Sequence, residues 1–162
     1  MSTKAKIRAF FGANREYVVT GASNNPSKFG FKILSWYVSH DLPVVPINPK
    51  ESQILNQEVV ASVVPVLEAV KARKDVGSHK LSTTDSVSIS FLTPPRITVA
   101  TLKQIASVDG YKGLISGLWF QPGSYDQEVL DTVDLIGLEE RAIHEDECIL
   151  VRGDEGLYAA NL

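Results

Sequence analysis

Apolar positions along the chain fall into short clusters whose spacing switches between the period of a helix and that of a buried strand. Ile7, Phe10 and Phe11 stand at i, i+3 and i+4, the stripe of a short amino-terminal helix. Tyr17-Val18-Val19-Thr20 is a continuous run closed by Gly21, which predicts a short buried strand. Turn chemistry fills 22–27, and a helical pattern then runs from Lys28 to about Ser39 with Phe29, Ile33, Trp36 and Tyr37 on one face. Gly30 in that helix permits close approach to the sheet. Pro43 to Ile47 predicts a second strand, kept short by its two prolines.

The middle of the chain is less regular. Ile54 to Val64 is apolar but broken by Asn56 and Gln57, and a brief strand is expected near Val59-Val60. Pro65 opens a helix through Val66, Leu67 and Val70, since proline is tolerated in a first turn. Lys71 to Thr84, with Lys71, Arg73, Lys74, His79 and Lys80 among polar residues, reads as a solvated helix end and loop.

Ser86 to Leu92 alternates with period two and is the clearest strand. Thr93-Pro94-Pro95 stops it, and a helix follows with Ile97, Ala100, Thr101, Gln104 and Ile105 as its inner stripe. Gly113 to Trp119 predicts another strand, Tyr125 to Leu135 a helix with Val129, Leu130 and Val133 inward, and Ala142 to Val151 a terminal strand before a mobile tail. Strands alternating with helices imply parallel strands joined by right-handed crossovers. The expected fold is a three-layer, Rossmann-like α/β domain with a mostly parallel sheet of about five or six strands. One domain covers 1–162, made of an amino-terminal helix at 2–13, a core at 15–151 and a tail at 152–162.

Composition narrows the function classes. A formal charge of −3 argues against a general grip on nucleic acid, which needs a broad basic surface. No apolar run approaches the ~20 residues that cross a bilayer, so no membrane role is expected. The lone Cys148 excludes an internal disulfide framework and suits a reducing, cytoplasmic compartment. Lys4, Lys6, Arg8 and Arg15 precede the first acid, Glu16, which leaves a mitochondrial presequence as the alternative; the Ile7 stripe favours a structural helix.

In such a fold, ligands bind beyond the carboxyl ends of the strands. The loop Gly21-Ala22-Ser23-Asn24-Asn25-Pro26-Ser27-Lys28-Phe29-Gly30 sits where a helix start receives a phosphate, with Ser27 near the N-cap. It departs from the dinucleotide fingerprint, because Ser23 stands at the second glycine and the loop is longer. After the second strand the chain presents Asn48-Pro49-Lys50, where an NAD site places an acid on the ribose. A lysine there suits a phosphorylated ribose, that of NADP or of coenzyme A (CoA). Trp119, Phe120 and Tyr125 offer adenine stacking, with core packing the commoner fate. His144, Asp146 and Cys148 would share one face of an extended strand, but no second cysteine or paired histidine completes a zinc set, and no metal is assigned. No nucleophile–base–orienter constellation is present, so no catalytic residue is assigned.

Val19 to Ser23, with Asn25-Pro26-Ser27-Lys28 and Gly30, followed by Val45 to Lys50, resembles the small stand-alone CoA-binding-domain family. The spacing of Trp119, Gln121 and Gly123 and the late Asp146 to Ile149 are similar to later blocks of that family, over roughly Arg15 to Val151. The family is itself similar to the nucleotide-binding domain of the succinyl-CoA ligase α subunit. The resemblance implies a site in which Gly21, Ala22, Ser23, Ser27, Lys28 and Phe29 surround the pyrophosphate. Asn48, Pro49 and Lys50 would lie along the adenosine and its ribose phosphate, and Thr93 and Pro94 would belong to a loop over the ligand. It implies a binding module for CoA or an acyl-CoA. The alternatives are an NADP-dependent reductase with Tyr125 as proton donor, or an interaction protein that keeps the fold without the ligand; a protein partner or homo-oligomer is left open.

Overall fold

The computed structural model describes residues 1–145 and 147–160. Five strands form one parallel sheet: β1 (Arg15–Thr20), β2 (Val44–Ile47), β5 (Ser86–Phe91), β6 (Ile115–Phe120) and β7 (Ala142–Ile143), in the order β2-β1-β5-β6-β7. A separate antiparallel hairpin pairs β3 (Gln53–Ile54) with β4 (Gln57–Glu58). The helices α1 (Thr3–Phe10), α2 (Phe29–Ser39), α3 (Val63–Ala72), α4 (Pro95–Ala106), α5 (Gln127–Leu135) and α6 (Ile149–Ala160) cover both faces. This is the expected three-layer, Rossmann-like architecture. No described helix is long and apolar enough to cross a membrane.

Strand alternation assigns side chains to the two layers. Val18, Val45, Ile89 and Leu118 face α3, α4 and α5, while Tyr17, Val19, Val44 and Trp119 face α1, α2 and α6. The period-two pattern of β5 marks two buried faces rather than a wet one. Ser88 donates to the Phe10 carbonyl at 2.6 Å, and Ser90 shares a 2.8 Å hydrogen bond with the Tyr37 hydroxyl, so both serines are satisfied inside the second layer. β2 is an edge strand, as Pro46 demands. Pro46 turns its carbonyl outward to the Val60 N–H, so its missing donor falls on the edge away from β1.

Several expectations are corrected by packing. The inner stripe of α4 is Thr98, Val99, Leu102 and Ile105, with Ile97, Ala100 and Gln104 exposed. Both stripes obey the helical period. The observed one buries Val99 and Leu102, and Thr98 enters because its hydroxyl donates to the Thr93 carbonyl at 2.9 Å. Phe29 is 59% exposed at the start of α2, whereas Ile33, Trp36 and Tyr37 are buried as expected. Val60 makes one isolated bridge to Ile47 instead of a strand, because Leu55 and Asn56 adopt left-handed conformations that fold 53–58 into its own hairpin. The 71–84 segment is not wholly solvated: His79 and Leu81 are buried, and His79 Nε2 lies 2.7 Å from the Glu58 carbonyl.

The largest correction lies at the carboxyl end. β7 stops at Ile143, Glu145 takes a positive φ, and the stretch expected to be strand and tail becomes α6, packed on α1 and α2. Gly153 meets the Trp36 ring and Gly156 meets Ile7 and Phe11, so the helix approaches through residues that a propensity reading counts against it. Asp154 accepts from Trp36 Nε1 at 3.0 Å and stands 2.7 Å from His40 Nε2, tying α6 to α2. Neither His144 nor Cys148 lies in a strand, and Asp146, the third residue of the expected shared face, lies outside the described residues. Among the described residues no group of three His, Cys, Asp or Glu side chains converges.

Candidate functional site

The carboxyl ends of β1, β2 and β5 meet the start of α2, and backbone geometry makes the meeting close. Gly21 takes φ +73°, and a β carbon there would press on the Leu92–Thr93 backbone at 3.1 Å. A β carbon on Gly30 would collide with the Gly21 carbonyl oxygen. Only two glycines therefore let α2 begin directly against the end of β1.

The intervening loop is held by its own side chains. Ser23 Oγ accepts from the Asn25 N–H at 3.0 Å, and Asn25 Oδ1 accepts from both the N–H and the hydroxyl of Ser27, at 3.0 and 2.7 Å. Ser27 is thus committed to the turn and is not the cap. The N-cap is Lys28, which supplies no side-chain hydrogen bond to the helix, and the first turn carries no acid. The positive end of α2 is left uncapped beneath an exposed lysine.

Asn48 joins this loop to the one after β2. Its Nδ2 donates to the Ala22 carbonyl at 2.9 Å, while its Oδ1 accepts from the N–H groups of Lys50 and Glu51 at 2.8 and 3.0 Å. Asn24, outside the expected set, adds a second tie by donating to Glu51 Oε2 at 2.9 Å. Thr93 shares a 2.9 Å hydroxyl contact with Thr98, and Pro94 is the N-cap of α4.

Two cavities flank this junction, one on each side of the sheet. The first, about 320 Å³, is lined by Gly21, Ile47, Asn48, Pro49, Thr93 and Ile97, among others. The second, about 430 Å³, is lined by Phe29, Ile33, Leu92, Gln121, Cys148 and Val151, among others. Gly21, Asn48, Pro49, Thr93 and Phe29 of the expected residues therefore line cavities. Ser23, Ser27, Lys28, Lys50 and Pro94 stand outside the lining, and Ala22 is buried.

Sequence reasoning missed Ser62, Ala100 and Gln104 in the first cavity and Gln121 in the second. The signal for the α4 residues was present: its apolar stripe, assigned to the core, forms a cavity wall instead. Gln121 is buried, its Oε1 accepts from the Ile149 N–H at 3.1 Å, and its Nε2 has no partner among the described residues. Trp119 and Phe120 are fully buried, Trp119 Nε1 donating to the Glu147 carbonyl at 2.8 Å and Phe120 stacking on Phe91 at 4.8 Å, so neither is free to stack on a base.

A parallel sheet, a glycine-paired strand-to-helix turn at its carboxyl edge and cavities on both sides of that turn define a Rossmann-like α/β domain. Within that class, the chain belongs to the CoA binding domain family, whose family model matches residues 15–154. No curated protein matches the chain. Among solved structures it is similar to a conserved hypothetical protein from Pyrococcus furiosus, at 27% identity and TM-score 0.62 over 85% of this chain and 98% of that one. A hypothetical protein from Pyrococcus horikoshii shares the fold at 18% identity and TM-score 0.70, covering 97% of this chain and 93% of the other. So does a Thermus thermophilus protein at 18% identity and TM-score 0.69, covering 96% and 99%.

Proposed function

We propose that this protein binds CoA or an acyl-CoA across the carboxyl edge of its sheet, as a binding module rather than a catalyst. The observation that carries the reading is the family match over 15–154, which starts at β1 and so includes the whole site. A CoA-binding role belongs to the family; the choice of CoA or acyl-CoA as the ligand, and the assignment of residues, are our reading.

The residues present suit such a ligand. The uncapped start of α2 and Lys28 would face the pyrophosphate. The cavity between Ile47 and Ile97 would take the adenine, and Lys50 would serve the ribose 3′-phosphate from the rim. The apolar cavity behind Phe29 would receive the pantetheine arm, with Gln121 in its wall. Cys148 lines the same cavity, beside the expected position of the thiol or thioester.

The test is calorimetric titration of nucleotide-stripped protein with CoA, acetyl-CoA, dephospho-CoA, NADP and NAD. Selective binding of CoA that weakens without the 3′-phosphate is the expected result. Preference for NADP with hydride transfer would turn the reading to a reductase, and silence with all five would leave an interaction protein.

A further inference from the structure

The opposite end of the sheet carries a larger opening. Beneath the amino ends of β1 and β2 lies a cavity of about 520 Å³, lined by Asn14, Glu16, Val44, Ser78, His79 and Thr84, among others. Glu16 is only 3% exposed, and among the described residues no hydrogen bond or ion pair reaches its carboxyl group. Buried carboxylates are normally paired, and this one faces open volume instead.

Arg15 and Lys80 also line the cavity, and the contacts they make run to other groups, although among the described residues the buried Arg15 Nε has no partner. On β1, Arg15 sends Nη1 to the carbonyls of Ala9 and Phe10, at 3.1 and 2.7 Å, and the Tyr17 hydroxyl accepts from the Gly12 N–H at 3.2 Å. From the 73–84 wall, Lys80 is 79% exposed and stands 3.7 Å from Asp75. His79 Nε2 faces the Glu58 carbonyl and so carries the ring proton, which makes Nδ1 an acceptor in the neutral ring. The segment leading into β2 contributes Leu42, Pro43 and Val44, none charged, and β4 contributes the neutral Gln57.

We infer that this cavity is a second ligand site, for a small organic cation of the primary-ammonium type, with the Glu16 carboxylate as its counter-charge and Ser78, His79 and Thr84 as its polar rim. Each competing ligand class meets an obstacle. An anion held by Arg15 or Lys80 would still leave the buried Glu16 carboxyl without a partner. An apolar molecule would leave the acid without a partner. A calcium or magnesium ion needs about six oxygen ligands, and a single carboxylate lines the cavity. The volume lies in the range of small-molecule sites, about 300–1,000 Å³. Burial pushes the Glu16 carboxyl up to about 7, so an arriving ammonium would displace a proton.

The experiment is an amide NMR titration of the full chain with n-butylamine as the probe and n-butanol as the uncharged control of the same shape. Saturable shifts centred on Gly12, Glu16, His79 and Thr84 are expected with the amine and not with the alcohol. Affinity should rise about tenfold per pH unit below the Glu16 pKa and level off above it. Glu16→Gln, which keeps shape and removes charge, should abolish the response while leaving the spectrum dispersed. Absence of cavity-centred shifts, an equal response to n-butanol, or a response that survives in Glu16→Gln overturns the assignment. None of these readouts depends on CoA.

Discussion

The side-chain amide of Asn48 bridges the ends of two strands: Nδ2 donates to the Ala22 carbonyl after β1, while Oδ1 receives two N–H groups of its own loop after β2. One residue thereby ties the loop after β1 to the loop after β2. Asn48→Ala should cost about 1–3 kcal/mol by leaving partly buried groups unpaired. It should also weaken CoA binding more than Asn24→Ala does. Urea denaturation with calorimetry separates the two effects, and unchanged stability would show the bridge to be dispensable.

Gly30 is the second constraint on that junction. A methyl group there meets the Gly21 carbonyl, which belongs to the backbone and has little room to give. Gly30→Ala should tilt the start of α2 away from β1, with a loss of about 1–3 kcal/mol and of at least tenfold in CoA affinity. Gly110→Ala is a poor control because of its positive φ; Gly113, which has open space and no positive φ, is the better one. If Gly30→Ala matches Gly113→Ala in both measurements, the close approach is not required.

Lys50 lies on an exposed turn whose backbone is held by Asn48, so its charge can be reversed without disturbing the fold. Lys50→Glu should leave stability unchanged, lower CoA affinity by about ten- to a hundredfold, and remove the advantage of CoA over dephospho-CoA. Equal affinity for both ligands in the parent protein would already refute the role.

Glu16 predicts an unusual pH profile. Its carboxyl loses its proton near 4.5 in the unfolded chain and at about 7 when folded. Between these values the folded state binds more protons, so stability falls as pH rises from about 4.5 to about 7 and stays lower above that. The full effect is on the order of 3 kcal/mol. Glu16→Gln should flatten this part of the profile and raise the melting temperature at alkaline pH; a Glu16→Gln profile parallel to the parent's would remove the assignment.

Much of the fold was legible in the residues. The apolar runs at Tyr17 and Val44 and the alternating segment at Ile89 become the neighbouring strands β1, β2 and β5, because such patterns between turn residues have few other ways to be buried. Gly21 and Gly30 were legible for a related reason: each marks a place where the backbone must pass without a β carbon. Less legible was Glu16, which enters the sequence reading only as the first acid of the chain. Its burial depends on Thr84 and His79, which arrive more than sixty positions later.

The sequence by itself determined the class of domain, the alternation of strands and helices, and the position of the turn between β1 and α2, since these rest on short-range periodicity and turn chemistry. Only the tertiary structure decided which of two helical stripes on α4 faces the core, and that 149–160 folds as a helix on Trp36 and Ile7. It also decided that the Ile97 stripe borders a cavity and that an unpaired acid lies at the far end of the sheet. In each case the deciding term is burial against residues distant in the chain, which local pattern does not encode.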